Sequence, residues 1–399
     1  MYVSTPPPPR VGSAKYALTK ESSTVLYLVR ALAAQAVLIG HLLKYLGIYP
    51  ADGKYPYIQS LSVTVFFLLS GFLTMYSYLS KRESQPDYGW WDFFANRVTR
   101  IYGALIPALL IVLGLDLINF RLHPATFPFR ENFNLVTFME NFFMCQNFPV
   151  FRSFPLFSHQ AFGSARPLWS LPLEWWLYML FGLLAYAHPK YKKHPFFWIA
   201  LLFSSIIPLY NAVWGSNNGL TFTWLIGVLI CVGLFSQWMQ KSRLSALQRF
   251  VLCVLALALA WKRICKVHAV FREVNLTVDY DPLFSAWLGI ALFLVLWVVQ
   301  LCSSGRGYLA LLGLLENPVK FLSTYSFALY LTHYSLIDLL CRTIPSRNHP
   351  YLMALAFWAI CNLFAVLIYL LEKLTVRLLK KGFFRLKVLK SWLDAKMYF

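Results

Sequence analysis

The sequence predicts an all-α, polytopic membrane protein of about ten transmembrane helices, on three observations. Hydrophobic residues make up 59% of the 399 and charged residues only 13%, where soluble domains run near a quarter charged. Apolar stretches of the roughly 17–25 residues needed to cross a bilayer recur along the whole chain. No connecting segment is long enough to bury a core of its own.

Residues 1–22 are polar and hold Pro6-Pro7-Pro8-Pro9, with no apolar core ahead of a small-residue cleavage site. They read as a disordered cytoplasmic tail, which leaves the first span as an uncleaved anchor. Spans are expected at 23–46, 59–80, 97–120, 168–187, 195–211, 219–236, 248–261, 283–302, 321–341 and 350–372. Residues 23–372 thus form one membrane domain. The remainder, 373–399, contains "KLTVRLLKKGFFRLKVLKSWL", which reads as a basic amphipathic helix on the inner leaflet.

An even number of spans puts both termini on one side, and charge says which. Lys81/Arg82, Arg97/Arg100, Lys190/Lys192/Lys193, Lys241/Arg243/Arg249 and the C-terminal tail then fall on the cytoplasmic side. Lys262/Arg263/Lys266 run against this pattern. The net charge of +20 is therefore read as membrane orientation in a cell membrane, not as nucleic-acid binding. The longest loop, 121–167, falls outside. Its density of Phe, Pro and Asn suggests that it dips into the membrane or covers a cavity. Seven cysteines lack paired spacing; only Cys145 and Cys265 fall where a disulfide would form, and their pairing stays open.

The first span, "YLVRALAAQAVLIGHLLKYL", carries Arg30 and His41. Eleven residues at 100° each is about 1100°, three turns plus about 20°, so both lie on one helix face about 16 Å apart in height. An arginine facing lipid costs several kcal/mol, so this face is expected to line protein or a wet cavity. The plainer alternative is an arginine that snorkels and a histidine held by one interhelical hydrogen bond. Other ionisable groups fall inside spans: Glu174, His333 and Asp116. A carboxylate beside a histidine fixes its tautomer and raises its basicity, as general-base catalysis requires. Glu174 serves equally as a structural ion-pair partner, and Asp116 is read as structural.

Arg97 and Arg100 stand at i and i+3 where the third span begins. Two guanidiniums at a helix N-terminus make a phosphate clamp, though ordinary positive-inside charge has the same spacing. No nucleophile elbow, P-loop or zinc pattern is present.

Taken together, these motifs resemble the acyltransferase-3 family of integral membrane acyltransferases. Arg30 to His41 resembles its arginine–ten residues–histidine motif, and "VTVFFLLSGFL" its second-span signature. "RVTR" resembles its arginine pair, "LWSLPLEWWLY" its Trp-Ser-Leu…Glu element, and "YSFALYLTHY" its Tyr-Leu-x-His element. Thr64 and Gly103 depart from the family pattern, in which an acidic residue and a proline are common there.

The resemblance implies transfer of an acyl group, acetyl or succinyl in class, from cytoplasmic acyl-CoA to a hydroxyl of a glycan or lipid-linked sugar. It implies His41, with Glu174, as the catalytic centre, His41 acting as base or acyl relay. Arg30, Arg97 and Arg100 serve the donor. His333, Trp169, Ser170 and Tyr330 fall in supporting or acceptor-side positions. Acyl-CoA enters as co-substrate, with no tightly bound cofactor or metal and with the lipid bilayer as surroundings. His159 and Gln160 in the outer loop are further candidate sugar contacts. A transporter or flippase remains the alternative, its buried charges forming a substrate path. A different membrane-bound O-acyltransferase fold fits the arginine pair and the Arg–His register less well.

Overall fold

The computed structural model describes residues 16–48, 58–146, 148–150, 160–186, 191–213, 219–236, 245–273, 282–302, 310–344 and 349–396. Among the described residues it is all-helical. Twelve α-helices follow in order among them: α1 (Lys20–Tyr45), α2 (Ile58–Ser84), α3 (Trp90–Leu122), α4 (Leu135–Phe142), α5 (Leu171–Tyr186), α6 (Pro195–Val213), α7 (Leu220–Leu234), α8 (Ala246–Glu273), α9 (Pro282–Cys302), α10 (Ala310–Thr324), α11 (Ser326–Thr343) and α12 (Pro350–Lys396). Seven of these are long and apolar enough to cross a membrane: α1, α2, α3, α5, α6, α9 and α12. The protein is a multi-pass membrane protein.

Each predicted span coincides with a helix, with three differences. First, α1 begins at Lys20, because Thr19 Oγ1 accepts from Ser22 N (3.2 Å) and caps it. The end of the expected tail is built into the bundle. Tyr16 packs edge-on against Phe235 (5.7 Å), and the Gln300 side chain binds Ala17 O, Thr19 N and Ser22 Oγ. Residues 1–15 lie outside the described set.

Second, the ninth predicted span, 321–341, is broken at Tyr325. The helical path stops there and restarts at Ser326, whose hydroxyl donates to Ser323 O (2.7 Å). A local side-chain bond competes with the helical ladder at this point.

Third, no break separates the last span from the basic tail. Helix α12 runs 47 residues without interruption, about 70 Å at 1.5 Å per residue. Its lower part packs on the start of α3. Phe383 meets Trp91 (5.8 Å) and Phe94 (6.4 Å), and Val376 fills the space over Gly103. That contact explains Gly103, since any side chain there would displace Val376.

Successive long helices reverse direction. We call proximal the end where α1 and α3 begin, and distal the end where they finish. Helices α2 and α7 run parallel and cross at Gly71 and Gly227, where each glycine touches the other helix's backbone. Small residues at such crossings let membrane helices approach closely. A polar clasp joins α1 to α12: Trp358 Nε1 donates to Gln35 Oε1 (2.8 Å), and Gln35 Nε2 to Asn362 Oδ1 (2.7 Å). Tyr325 Oη donates to the same Asn362 oxygen (3.0 Å), tying in the break before α11.

Candidate active site

One cavity in the bundle is lined by charged groups. Arg30 of α1, Arg100 of α3, Glu174 of α5 and Ser70 of α2 share it with Ser170 and Tyr330. Its open interior is only about 60 Å³. Glu174 sits in the first turn of α5, where the positive helix end favours a carboxylate. Its Oε1 accepts from Ser70 Oγ (2.7 Å) and Tyr178 Oη (2.5 Å), and its charge acts on Arg30, Arg97 and Arg100.

The two arginines of α3 separate in role. Arg100 lines the cavity. Arg97 is buried with its guanidinium over the rings of Tyr178 (4.6 Å) and Phe93 (5.0 Å), and its Nε has no hydrogen-bond partner. Stacking of this kind holds an arginine in a low-dielectric setting.

His41 lies toward the distal end. Its ring neighbours are His333 (5.2 Å between centroids) and Tyr334 (5.0 Å, edge-on), both on α11. The carboxylate partner expected for His41 is thus replaced by a second imidazole: Glu174 bonds to Ser70 and Tyr178 instead. His333 Nδ1 lies 2.9 Å from Leu329 O. A carbonyl only accepts, so Nδ1 carries the proton, and the lone pair of neutral His333 is on Nε2. That Nε2 is buried without a hydrogen-bond partner.

Arg30 and His41 both turn into the protein, as the spacing predicts. The stripe between them is filled, however. Val37 is buried in the same cluster as Val63, Phe67 and Tyr330. A polar route goes around it. Ser170 Oγ and Tyr330 Oη are 2.9 Å apart on the cavity wall, and the Tyr330 ring lies 6.3 Å from that of His333.

Two carboxylates absent from the sequence reading belong to this region. Asp338 of α11 is fully buried and accepts from Tyr45 Oη (3.0 Å), Asn119 Nδ2 (2.7 Å) and Arg342 Nε (3.0 Å), joining α1, α3 and α11 beside the histidines. Its spacing of four from Arg342 was a visible signal. Glu372 of α12 acts electrostatically on Arg30 and Arg100, and its Oε2 is buried without a partner. Adjoining Lys373, it looks in sequence like a charge at the membrane edge.

The loop after α3 folds over the distal end. Asp116 is structural there: it accepts from Ser164 N (2.8 Å) and Ser164 Oγ (2.6 Å). Gly163 has φ +52, and a Cβ on it would strike Asp116. We expect Gly163→Ala to destabilise by about 1–3 kcal/mol, from left-handed strain and the clash together. Gly114→Ala, at an α3 position with open space around it, should be neutral or mildly stabilising. Thermal unfolding of the purified protein in detergent checks the contrast; equal midpoints would contradict it.

Cys145 and Cys265 are free thiols, so the pairing left open by the sequence is not formed. Burial, with help from Glu140, pushes the Cys145 thiol above its ordinary range. Gln160 donates no contact to a histidine; its side-chain oxygen accepts from Asn132 Nδ2 (2.6 Å). His159 lies outside the described residues.

Compared with known families, the chain matches the acyltransferase-3 model, described as an acyltransferase domain, over residues 26–372. Neither a curated protein nor a solved structure matches it.

Proposed function

The chain belongs to the acyltransferase-3 family and is a membrane acyltransferase, and from that premise we propose that it carries an acyl group from cytoplasmic acyl-CoA to a hydroxyl of a glycan or lipid-linked sugar on the far side. In this reading the chain crosses the membrane ten times, α10 and α11 together making one crossing. The proximal end, rich in lysine and arginine, faces the cytoplasm. The membrane is the cell membrane.

One observation carries the proposal. The arginine-lined cavity ends at Ser170 and Tyr330, and Tyr330 adjoins the imidazole pair of His333 and His41. Arg100 and Arg30 hold the phosphates of the donor. Arg97 supports them through Tyr178, and Glu174 and Glu372 limit the mutual repulsion of the guanidiniums. The donor arm then runs past Tyr330, which requires Val37 and Tyr330 to yield, because the present interior is too small for it.

At the far end His41 takes the proton of the acceptor hydroxyl. The oxygen attacks the thioester carbonyl, the tetrahedral centre collapses, and the C–S bond breaks. The thiolate of CoA leaves and is protonated, and the acceptor keeps the acyl group as an ester. The unpartnered Nε2 of His333 is placed to accept a hydrogen bond from an incoming hydroxyl or from protonated His41. Transfer to oxygen is favoured over transport because both a phosphate site and a base stand on one route.

The test is CoA release by the purified protein from acetyl-CoA and succinyl-CoA, read with a thiol reagent, with mass spectrometry of lipid-linked sugars added as acceptor. We expect CoA release coupled to an acceptor mass gain of one acyl group. Movement of the sugar across a vesicle bilayer with no acyl-CoA consumed would favour a flippase instead.

A further inference from the structure

A second cavity, of about 420 Å³, opens at the distal end under the loop that follows α3. Its walls include Phe129, Glu131, Asn132, Gln160, Arg166 and Trp169. The volume falls within the range of sites that enclose a small ligand, and it is several times the room in the arginine-lined cavity. Unlike that cavity, it is walled by amide, carboxylate, guanidinium and indole together.

Its floor is shared with the first site. The short 3₁₀ turn Arg166–Ser170 gives Arg166 and Trp169 to the distal cavity and Ser170 to the arginine-lined one. The wall between the two is therefore one turn of backbone. Gln146 Nε2 holds that turn by donating to Leu168 O (3.2 Å). Arg166 also lies close enough to His41 for its charge to act on the imidazole. The opposite wall is fixed as well: Gly163 N donates to Asn132 O (3.1 Å), and Asp116 holds Ser164.

We propose that this distal cavity is the acceptor subsite and that it takes a neutral pyranose ring. The proposal rests on the acyl-transfer reading for its purpose, though not for the binding itself. An indole face packs against the C–H face of a sugar, while hydroxyls around the ring edge both donate and accept. Glu131 supplies acceptor oxygens and Arg166 supplies donors. The bond between Asn132 Nδ2 and Gln160 Oε1 uses one donor and one acceptor. It leaves the Asn132 carbonyl and the Gln160 amide hydrogens directed to other partners. With Glu131 and Arg166 opposite in sign, the cavity has no net charge to demand an anionic sugar. A ring held on Trp169 presents a hydroxyl across the 3₁₀ turn toward the histidines.

The test is saturation-transfer NMR on the full chain in detergent micelles. The probes are methyl β-D-glucopyranoside, methyl N-acetyl-β-D-glucosaminide and methyl glucuronide, with glycerol as the polyol control. Wild type is expected to bind at least one neutral pyranoside more tightly than glycerol. Trp169→Ala should lose that binding at least tenfold, and Glu131→Gln several-fold, while CoA binding in both variants stays as in wild type. Preserved CoA binding shows that the variants are folded. Binding of none of the pyranosides by wild type, or equal binding by wild type and Trp169→Ala, overturns the proposal; preference for the glucuronide overturns its neutral-sugar part. Sugar binding with no CoA binding by wild type would sink the acyl-transfer reading and leave this site standing.

Discussion

His41→Ala is expected to abolish acyl transfer to the acceptor while leaving donor affinity within about twofold of wild type. A positioned general base is worth about 10²–10⁴-fold in rate. His41 is half-buried between His333 and Tyr334 and makes no contact with the arginine-lined cavity. Its removal should therefore lower kcat and leave the KM for acetyl-CoA nearly unchanged. The measurement is steady-state CoA release at saturating acceptor, on protein that elutes as a single species. The imidazole of His333 makes a sharp companion. His333→Ala should slow the reaction less than His41→Ala, since it supports the reacting group and does not contact the hydroxyl in this account. A variant order the other way round would move the base assignment to His333, whose Nε2 carries a buried lone pair.

Arg100→Ala is expected to raise the KM for acetyl-CoA by about 10–100-fold, since a hydrogen bond to a charged group is worth about 1.5–3 kcal/mol. The kcat at saturation should change little, because Arg100 stands far from the thioester. Arg97→Ala should behave differently. It strips a stacked guanidinium from Tyr178 and Phe93 and leaves a hole beside Glu174. Its main effect should be on thermal stability, with a smaller rise in KM. Both variants remove a positive-inside charge, so topology must be mapped alongside them. Unchanged donor affinity in Arg100→Ala with topology intact would reduce the pair to orientation signals.

What could be read from the sequence was whatever helix geometry fixes by itself. The register of Arg30 and His41 follows from 100° per residue, and both do turn inward. The spacing of Arg97 and Arg100 placed them at one helix start, but spacing cannot say which of the two reaches a cavity. That depends on Tyr178 and Phe93, which arrive from other positions in the fold. The partners of Glu174 were invisible for the same reason: Ser70 is 104 residues away in the chain. The pairing of His41 with His333 depends on α1 and α11 running side by side, which no local pattern encodes.

The continuous α12 is a different lesson. Charge density changes at Lys373, and the sequence reading placed a boundary there. No proline interrupts the segment and its leucines continue, so the helix persists, with Val376 and Phe383 docking on α3. The break at Tyr325 was missed in the opposite sense. It carries neither Gly nor Pro, and only the Ser323–Ser326 bond marks it.

The account stands or falls on a single route from the arginines to the histidine pair. The most direct measurement is photolabelling with a CoA thioester whose acyl group carries a diazirine, followed by peptide mapping. The account predicts labelling on segments around His41 and Tyr330–Tyr334, competed by acetyl-CoA and lost in Arg100→Ala. Competed labelling confined to α8 or to the lipid-facing side of α6, with none near His41, would contradict it.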